Sequence, residues 1–158
     1  MAANLERNQT PMDNPRTLLI VEDEILAAMA LRDELCDAGY HVLDLTDHPQ
    51  EAMDAARADK PDLALVNIDL HGRADGIALA GELKDMGVPV VFISGQADLA
   101  RSSMAVAVAS LPKPYSADDA RLSVNYLLAH LAGDETLPKP AALELLGGFG
   151  SGARPAAA

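Results

Sequence analysis

At 158 residues the chain is long enough for one domain with a proper core plus short extensions, and no internal repeat divides it. A formal net charge of -12 argues against nucleic acid held on a basic surface, because neutralising phosphates takes clustered Lys and Arg. The single cysteine, Cys36, excludes an intramolecular disulfide and a cysteine-based metal cluster and fits a reducing compartment.

No apolar run approaches the ~20 residues that span a bilayer, and the N-terminus has no signal-peptide core. The expectation is therefore a cytoplasmic protein without membrane contact. Aromatics make up 3% and Trp is absent, so alanine and small aliphatics must fill the core.

Residues 1–15 are polar, contain two prolines and show no periodicity, which predicts a disordered lead. Thr17 to Val21 is a compact apolar run suited to a central strand, and it leads into Glu22-Asp23-Glu24. Ile25, Ala28, Met29, Leu35 and Cys36 share a face at helical spacing, with Gly39 as a stop. His41 to Thr46 reads as a second strand. Asp47-His48-Pro49 opens a helix that carries Ala52, Met53 and Ala56.

The third strand, Leu63 to Val66, is opened by Pro61-Asp62 and apolar on both faces, as in a buried parallel sheet. Ile77, Ala80 and Leu83 mark a helix that ends near Gly87, and Val88 to Ser94 is the fourth strand. A short helical stretch follows Gln96, then a last strand ends near Leu111. Ser116 and Asp119 form a capping-box start for a helix with Ala120, Val124, Leu127 and Leu131 buried.

Five strands alternating with helices define an α/β fold with a doubly wound five-stranded parallel sheet, spanning residues 16–132. Residues 133–158 are a Pro/Gly/Ala-rich C-terminal tail, with one or two helical turns over Ala141 to Leu146 and flexible chain beyond.

Ligands of such sheets bind at the carboxyl ends of the strands. The polar residues there are the acid pair Glu22-Asp23 after the first strand, Asn67 and Asp69 at the end of the third, Ser94 at the fourth and Lys113 at the fifth. Carboxylates gathered in one crevice suit a magnesium ion, although an acid pair also suits a helix N-terminus. Acid pair, hydroxyl and lysine at successive strand ends are what a phosphoryl group needs: a cation, a donor and a counter-charge. The histidines His41, His48, His71 and His130 show no shared metal-ligand spacing, and His71 is a surface residue near the crevice.

Four stretches together resemble the receiver domain of bacterial response regulators: Leu19-Ile-Val-Glu-Asp-Glu24, Pro61 to Gly72, Pro89 to Gly95, and Leu111-Pro-Lys-Pro-Tyr115. The resemblance covers residues 17–131 and implies a flavodoxin-like sheet with a shortened fourth helix. It implies Mg2+ held directly by Asp23, through water by Glu22 and by the backbone carbonyl of Asp69. Ser94 and Lys113 would bind the phosphoryl group, and a cis bond would precede Pro114.

Two positions depart from the family. Asn67 stands where the family carries its phosphorylated aspartate, and an amide is neither a nucleophile nor an anion. Ser110 stands at the switch position, where the family carries Tyr or Phe. The resemblance therefore implies an atypical single-domain response regulator, not an enzyme, that acts in a phosphorelay by protein binding and holds Mg2+ weakly. The alternative acceptor is Asp69, which the resemblance otherwise makes a solvated loop carboxylate. The partners implied are a sensor histidine kinase, a histidine phosphotransfer protein or a second copy of the chain, with no nucleic acid. The family's usual docking face corresponds to about Asp98 to Leu131. The Asn67-Ile-Asp69 spacing is also similar to the paired aspartates of haloacid-dehalogenase-like phosphatases, whose nucleophile is the first of the two.

Overall fold

The computed structural model describes residues 15–147; all but the last residue of the expected disordered lead (residues 1–15) and the end of the tail (148–158) lie outside the described residues. The elements are β1 (Thr17–Val21), α1 (Ile25–Asp37), β2 (His41–Val42), α2 (Pro49–Ala58), β3 (Leu63–Asn67), α3 (Asp75–Asp85), β4 (Val90–Ser94), α4 (Ala97–Ser102), β5 (Ala109–Pro112), α5 (Ala117–Leu131) and β6 (Glu144–Leu145). The sheet order is β2-β1-β3-β4-β5-β6. The first five strands run parallel, and β6 is antiparallel to β5.

Successive side chains of a strand point to opposite faces, and both faces of this sheet are covered. Leu18 and Ile20 of β1 meet Leu31 and Leu35 of α1 and Leu127 of α5 in one core layer. Leu19 and Val21 meet Ala52 and Met53 of α2 and Leu79 and Leu83 of α3 in the other. Every residue of β3 and β4 is buried, as their uninterrupted apolar runs predict. Ala52 and Ala56 of α2 are fully buried in the layer of Leu19 and Val21, so small side chains fill part of a core with few aromatics.

Four expectations from the sequence need correction. The sheet has six strands: Ala141 to Leu146 does not form helical turns but contributes β6, with Ala109 opposite Leu145 and Ser110 opposite Glu144. β5 would otherwise be an edge strand with open N–H and C=O groups, and an extended segment satisfies them where a helix would not. Second, β2 is only His41–Val42, and the chain rejoins β1 at Thr46 through a single bridge to Val21. Third, the buried stripe of α1 is Ala28, Leu31 and Leu35, while Ile25 and Leu26 are 61% and 78% exposed and Cys36 is exposed. Fourth, Leu131, at the end of α5, is exposed. The capping box of Ser116 and Asp119 forms as expected, with Asp119 N–H donating to Ser116 Oγ at 3.0 Å and Ser116 N–H to Asp119 Oδ2 at 2.9 Å. The fourth helix is short, Ala97–Ser102.

Candidate functional site

β1 and β3 are neighbours, with Val21 paired to Val66. That pairing sets Glu22 and Asp23, the first residues beyond β1, beside Asn67, the last residue of β3. The Asn67 amide donates from Nδ2 to Glu22 Oε2 at 2.7 Å and to Asp23 Oδ1 at 3.2 Å. On its other side Oδ1 accepts the Asp69 N–H at 3.3 Å. These partners fix the amide's orientation: two carboxylates demand a donor and a backbone N–H demands an acceptor.

Lys113 follows β5 and reaches the same centre. Its Nζ lies 2.9 Å from Glu22 Oε1 and 3.6 Å from Glu24 Oε1. The Glu22 side chain is 1% exposed. A carboxylate so buried needs compensating partners, and it has them on both oxygens: ammonium on Oε1, and the Asn67 amide and Glu24 N–H on Oε2. Burial pushes the Asp23 carboxyl up, but the N–H of His71 and the further hydrogen bonds at Glu22 and Asn67 outweigh it, so Asp23 sits below the ordinary carboxylate range. The His71 N–H donates to Asp23 Oδ2 at 3.0 Å. The Tyr115 phenol is pushed up to about 12, first by burial and then by the charges of Glu22 and Glu24.

Among the other sequence-predicted residues, Ser94 Oγ, Ser110 Oγ and Asp69 Oδ1 make no hydrogen bond to this cluster. Ser94 is buried at the end of β4, and its Oγ accepts the N–H of Gln96 at 2.8 Å. Lys113 N–H donates to the Ser94 carbonyl at 2.9 Å, so backbone rather than side chain links the two. The peptide between Lys113 and Pro114 is cis, as the resemblance implies. Ser110 is buried opposite Phe92, and its Oγ has no partner. Asp69 is not the solvated carboxylate expected: the residue is half-buried, and its Oδ1 is covered and unpaired.

Magnesium fits this donor set poorly. Hard cations take oxygen ligands, yet the group facing both carboxylates is an NH2. Turning the amide over would present its oxygen but set NH2 against the Asp69 N–H, donor against donor. The amide and the Lys113 ammonium already supply the positive ends that the acid pair needs.

The structure brings together one cluster that the sequence did not suggest. His48 opens the first turn of α2, and His71 lies in the loop between β3 and α3. Both reach Asp47: His71 Nε2 is 3.0 Å from Asp47 Oδ2, and His48 Nε2 is 3.6 Å from Asp47 Oδ1. No fixed spacing in the sequence announces it, because the two loops meet only through the parallel order of the strands.

The match to known proteins follows this architecture. Residues 18–125 match the response regulator receiver domain, and the chain belongs to that family. It is therefore a receiver of two-component signalling, a class of signalling proteins rather than enzymes, whose members interact with histidine kinases or phosphotransfer proteins.

Among its relatives, the transcriptional regulatory protein PdtaR of Mycobacterium tuberculosis is 38% identical over 109 residues, 66% of this chain and 53% of PdtaR. The polar-differentiation response regulator DivK of Brucella anthropi is 33% identical over 84 residues, 51% of this chain and 67% of DivK. The crystal structure of NtrX from Brucella abortus superposes with a TM-score of 0.68 at 28% identity, covering 74% of this chain and 27% of NtrX. The chain thus spans about half the length of PdtaR. Since PdtaR is named a transcriptional regulatory protein, the charge argument against nucleic acid bears only on a basic surface and does not set this chain apart from such relatives. Among the described residues no helix is long and apolar enough to cross a membrane.

Proposed function

We propose that this chain is a receiver whose pocket is closed by its own side chains in place of a phosphoryl group and a metal ion, and that it signals by binding a protein partner. The observation that carries this reading is the Asn67 amide bridging Glu22 and Asp23 while Lys113 holds the other oxygen of Glu22. An amide oxygen cannot take up a phosphoryl group to form an acyl phosphate, and here it is also committed to the Asp69 N–H. With the cation's place filled by an NH2, Mg2+ binds weakly at best. In this reading Asp23, Glu22 and the Asp69 carbonyl are the remnant of the metal site, and Ser94 and Lys113 the remnant of the phosphoryl site. Ser110 replaces the aromatic that would report phosphorylation.

The partner is a sensor histidine kinase or a histidine phosphotransfer protein. A groove between α1 and α5 supports this: its walls are small (Ala27, Ala30, Ala117, Ala120), and it reaches Lys113 at the edge of the pocket. Ile25 and Leu26 stand exposed on α1, an apolar surface suited to a partner helix laid along the groove. A second copy of the chain would meet a different obstacle, since β6 already lies on β5.

A second reading, phosphorylation at Asp69, is favoured by that residue's Oδ1, which has no hydrogen-bond partner. Intact-protein mass after incubation with Mg2+ and acetyl phosphate separates the two. Wild type is expected to stay unmodified while Asn67→Asp gains one phosphoryl group. A phosphoryl adduct on wild type that Asp69→Ala removes would replace the first reading with the second.

A further inference from the structure

We propose that Asp47, His48 and His71 form a binding site for a borderline transition-metal ion of the Zn2+ class, separate from the acidic pocket. Two imidazoles and one carboxylate are the donor set of such ions and not of Mg2+, which prefers oxygen ligands. One ligand atom from each of the three residues lies within 4.8 Å of the other two. Ligand atoms around a tetrahedral ion with bonds near 2.0–2.1 Å stand about 3.4 Å apart, and the His71 and His48 Nε2 atoms lie 3.0 and 3.6 Å from the Oδ2 and Oδ1 oxygens of Asp47, close to that spacing. His71 Nε2 faces one oxygen of the Asp47 carboxylate, Oδ2, and His48 Nε2 faces the other, Oδ1, so the carboxylate lies between the two imidazoles. The ring centroids lie 5.7 Å apart with their planes inclined at 36°.

The placement is also informative. His71 is the only non-glycine residue among those described with a positive φ, 54°, a conformation uncommon outside Gly, although Asn, Asp and His adopt it more often than other residues. That backbone directs the imidazole to Asp47 while the N–H of the same residue donates to Asp23. A metal held here joins the loop before α2 to the loop after β3, through the same residue whose N–H contacts Asp23. Three protein ligands on an exposed surface leave coordination positions open to water or to a partner's side chain. Binding requires each Nε2 to present its lone pair to the ion, with the ring proton on Nδ1. Such an ion gives a receiver without an acceptor aspartate a chemical input at the same end of the sheet.

The test is calorimetric titration of the full, tag-free chain with ZnCl2 in excess MgCl2, with Co2+ absorption as a second readout. One site per chain is expected, weakened at least tenfold by His48→Ala and by His71→Ala, and abolished in the double variant. Because His71 carries the unusual backbone, His48→Ala serves as the independent check: it changes only an exposed ring on a different loop. Zinc affinity unchanged in His48→Ala, or the absence of a wild-type site at millimolar zinc, overturns the proposal. A visible Co2+ spectrum indicating all-oxygen octahedral coordination overturns it as well.

Discussion

At the scale of single residues, the pocket shows how one atom changes a site's chemistry. Replacing a carboxylate oxygen by NH2 turns an acceptor among acceptors into a donor among acceptors. Three carboxylates converging beside one lysine would repel each other and would need a divalent cation. With Asn67 there, the same geometry is satisfied by hydrogen bonds alone. The cost moves to Asp23, which is held ionised by its donors. A carboxyl whose folded value lies below its unfolded one adds stability above the unfolded value, near 3.9, and loses it as pH falls through the lowered folded value. The stability difference between wild type and Asp23→Asn is therefore expected to be constant from neutral pH to about pH 5 and to shrink below about pH 4. Urea unfolding at a series of pH values measures it. A difference that grows toward acid would mean that Asp23 is destabilised in its ionised form, contrary to its hydrogen bonds.

At the scale of elements, α3 is placed by a close approach that only glycine permits. A Cβ on Gly76 would lie 2.1 Å from the Asn67 carbonyl oxygen and 2.7 Å from the Ile68 Cα, both backbone atoms that cannot step aside. Gly76 N–H donates to the Ile68 carbonyl at 2.9 Å, so the first turn of α3 is welded to the end of β3. Gly76→Ala is expected to cost about 1–3 kcal/mol net by overpacking, which outweighs the helix-propensity gain of alanine. Its urea midpoint would fall accordingly. A change under 1 kcal/mol would show that the strand end can shift, on the order of what small-residue swaps cost elsewhere.

How legible the molecule was follows the same division. Strands buried on both faces announce themselves as apolar runs, and β1, β3 and β4 lie where Thr17–Val21, Leu63–Val66 and Val88–Ser94 place them, within a residue or two. Glu22, Asp23, Asn67 and Lys113 were legible because each ends or directly follows a strand of the parallel sheet. The direction of the Asn67 amide and the partner of Ser94 were not, because they depend on which loop N–H lies nearest. The Asp47–His48–His71 cluster was hidden for a related reason: its members converge through sheet order, which spacing along the chain does not encode. The stripe of α1 was misread because Ile25 and Met29 are at helical spacing but on the solvent side, where apolar content alone does not tell core from docking surface.

At the scale of the whole molecule, the segment after α5 joins the fold. The alanine- and serine-rich stretch from Asp98 to Leu131 predicts close packing against something, and part of what it packs against is the chain itself. Leu143 is 1% exposed and enters the core layer of α1 and α5, whereas Leu146 enters the opposite layer beside Ala100 and Ala107. Leu146 N–H donates to the Val108 carbonyl at 2.8 Å, and Glu144 Oε2 accepts from Arg101 Nε at 2.8 Å, tying the segment to α4.

Burying two leucines stabilises the fold by about 1.5–3 kcal/mol each, and the exposed ion pair adds little. Removing residues 134–158 deletes that burial and uncovers β5 as an edge strand beside an apolar strip. Exposed edges of that kind pair with other chains. The truncated chain is expected to unfold at a urea midpoint several kcal/mol less stable than the full chain and to self-associate in a concentration-dependent way. Light scattering after size exclusion reads the second effect. Arg101→Ala in the full chain serves as the control, since it cuts only the surface ion pair and leaves both leucines buried. A truncated chain that stays monomeric at high concentration with unchanged stability would mean that β6 merely rests on β5, and that the sheet's edge is protected by the fold of residues 16–132 alone.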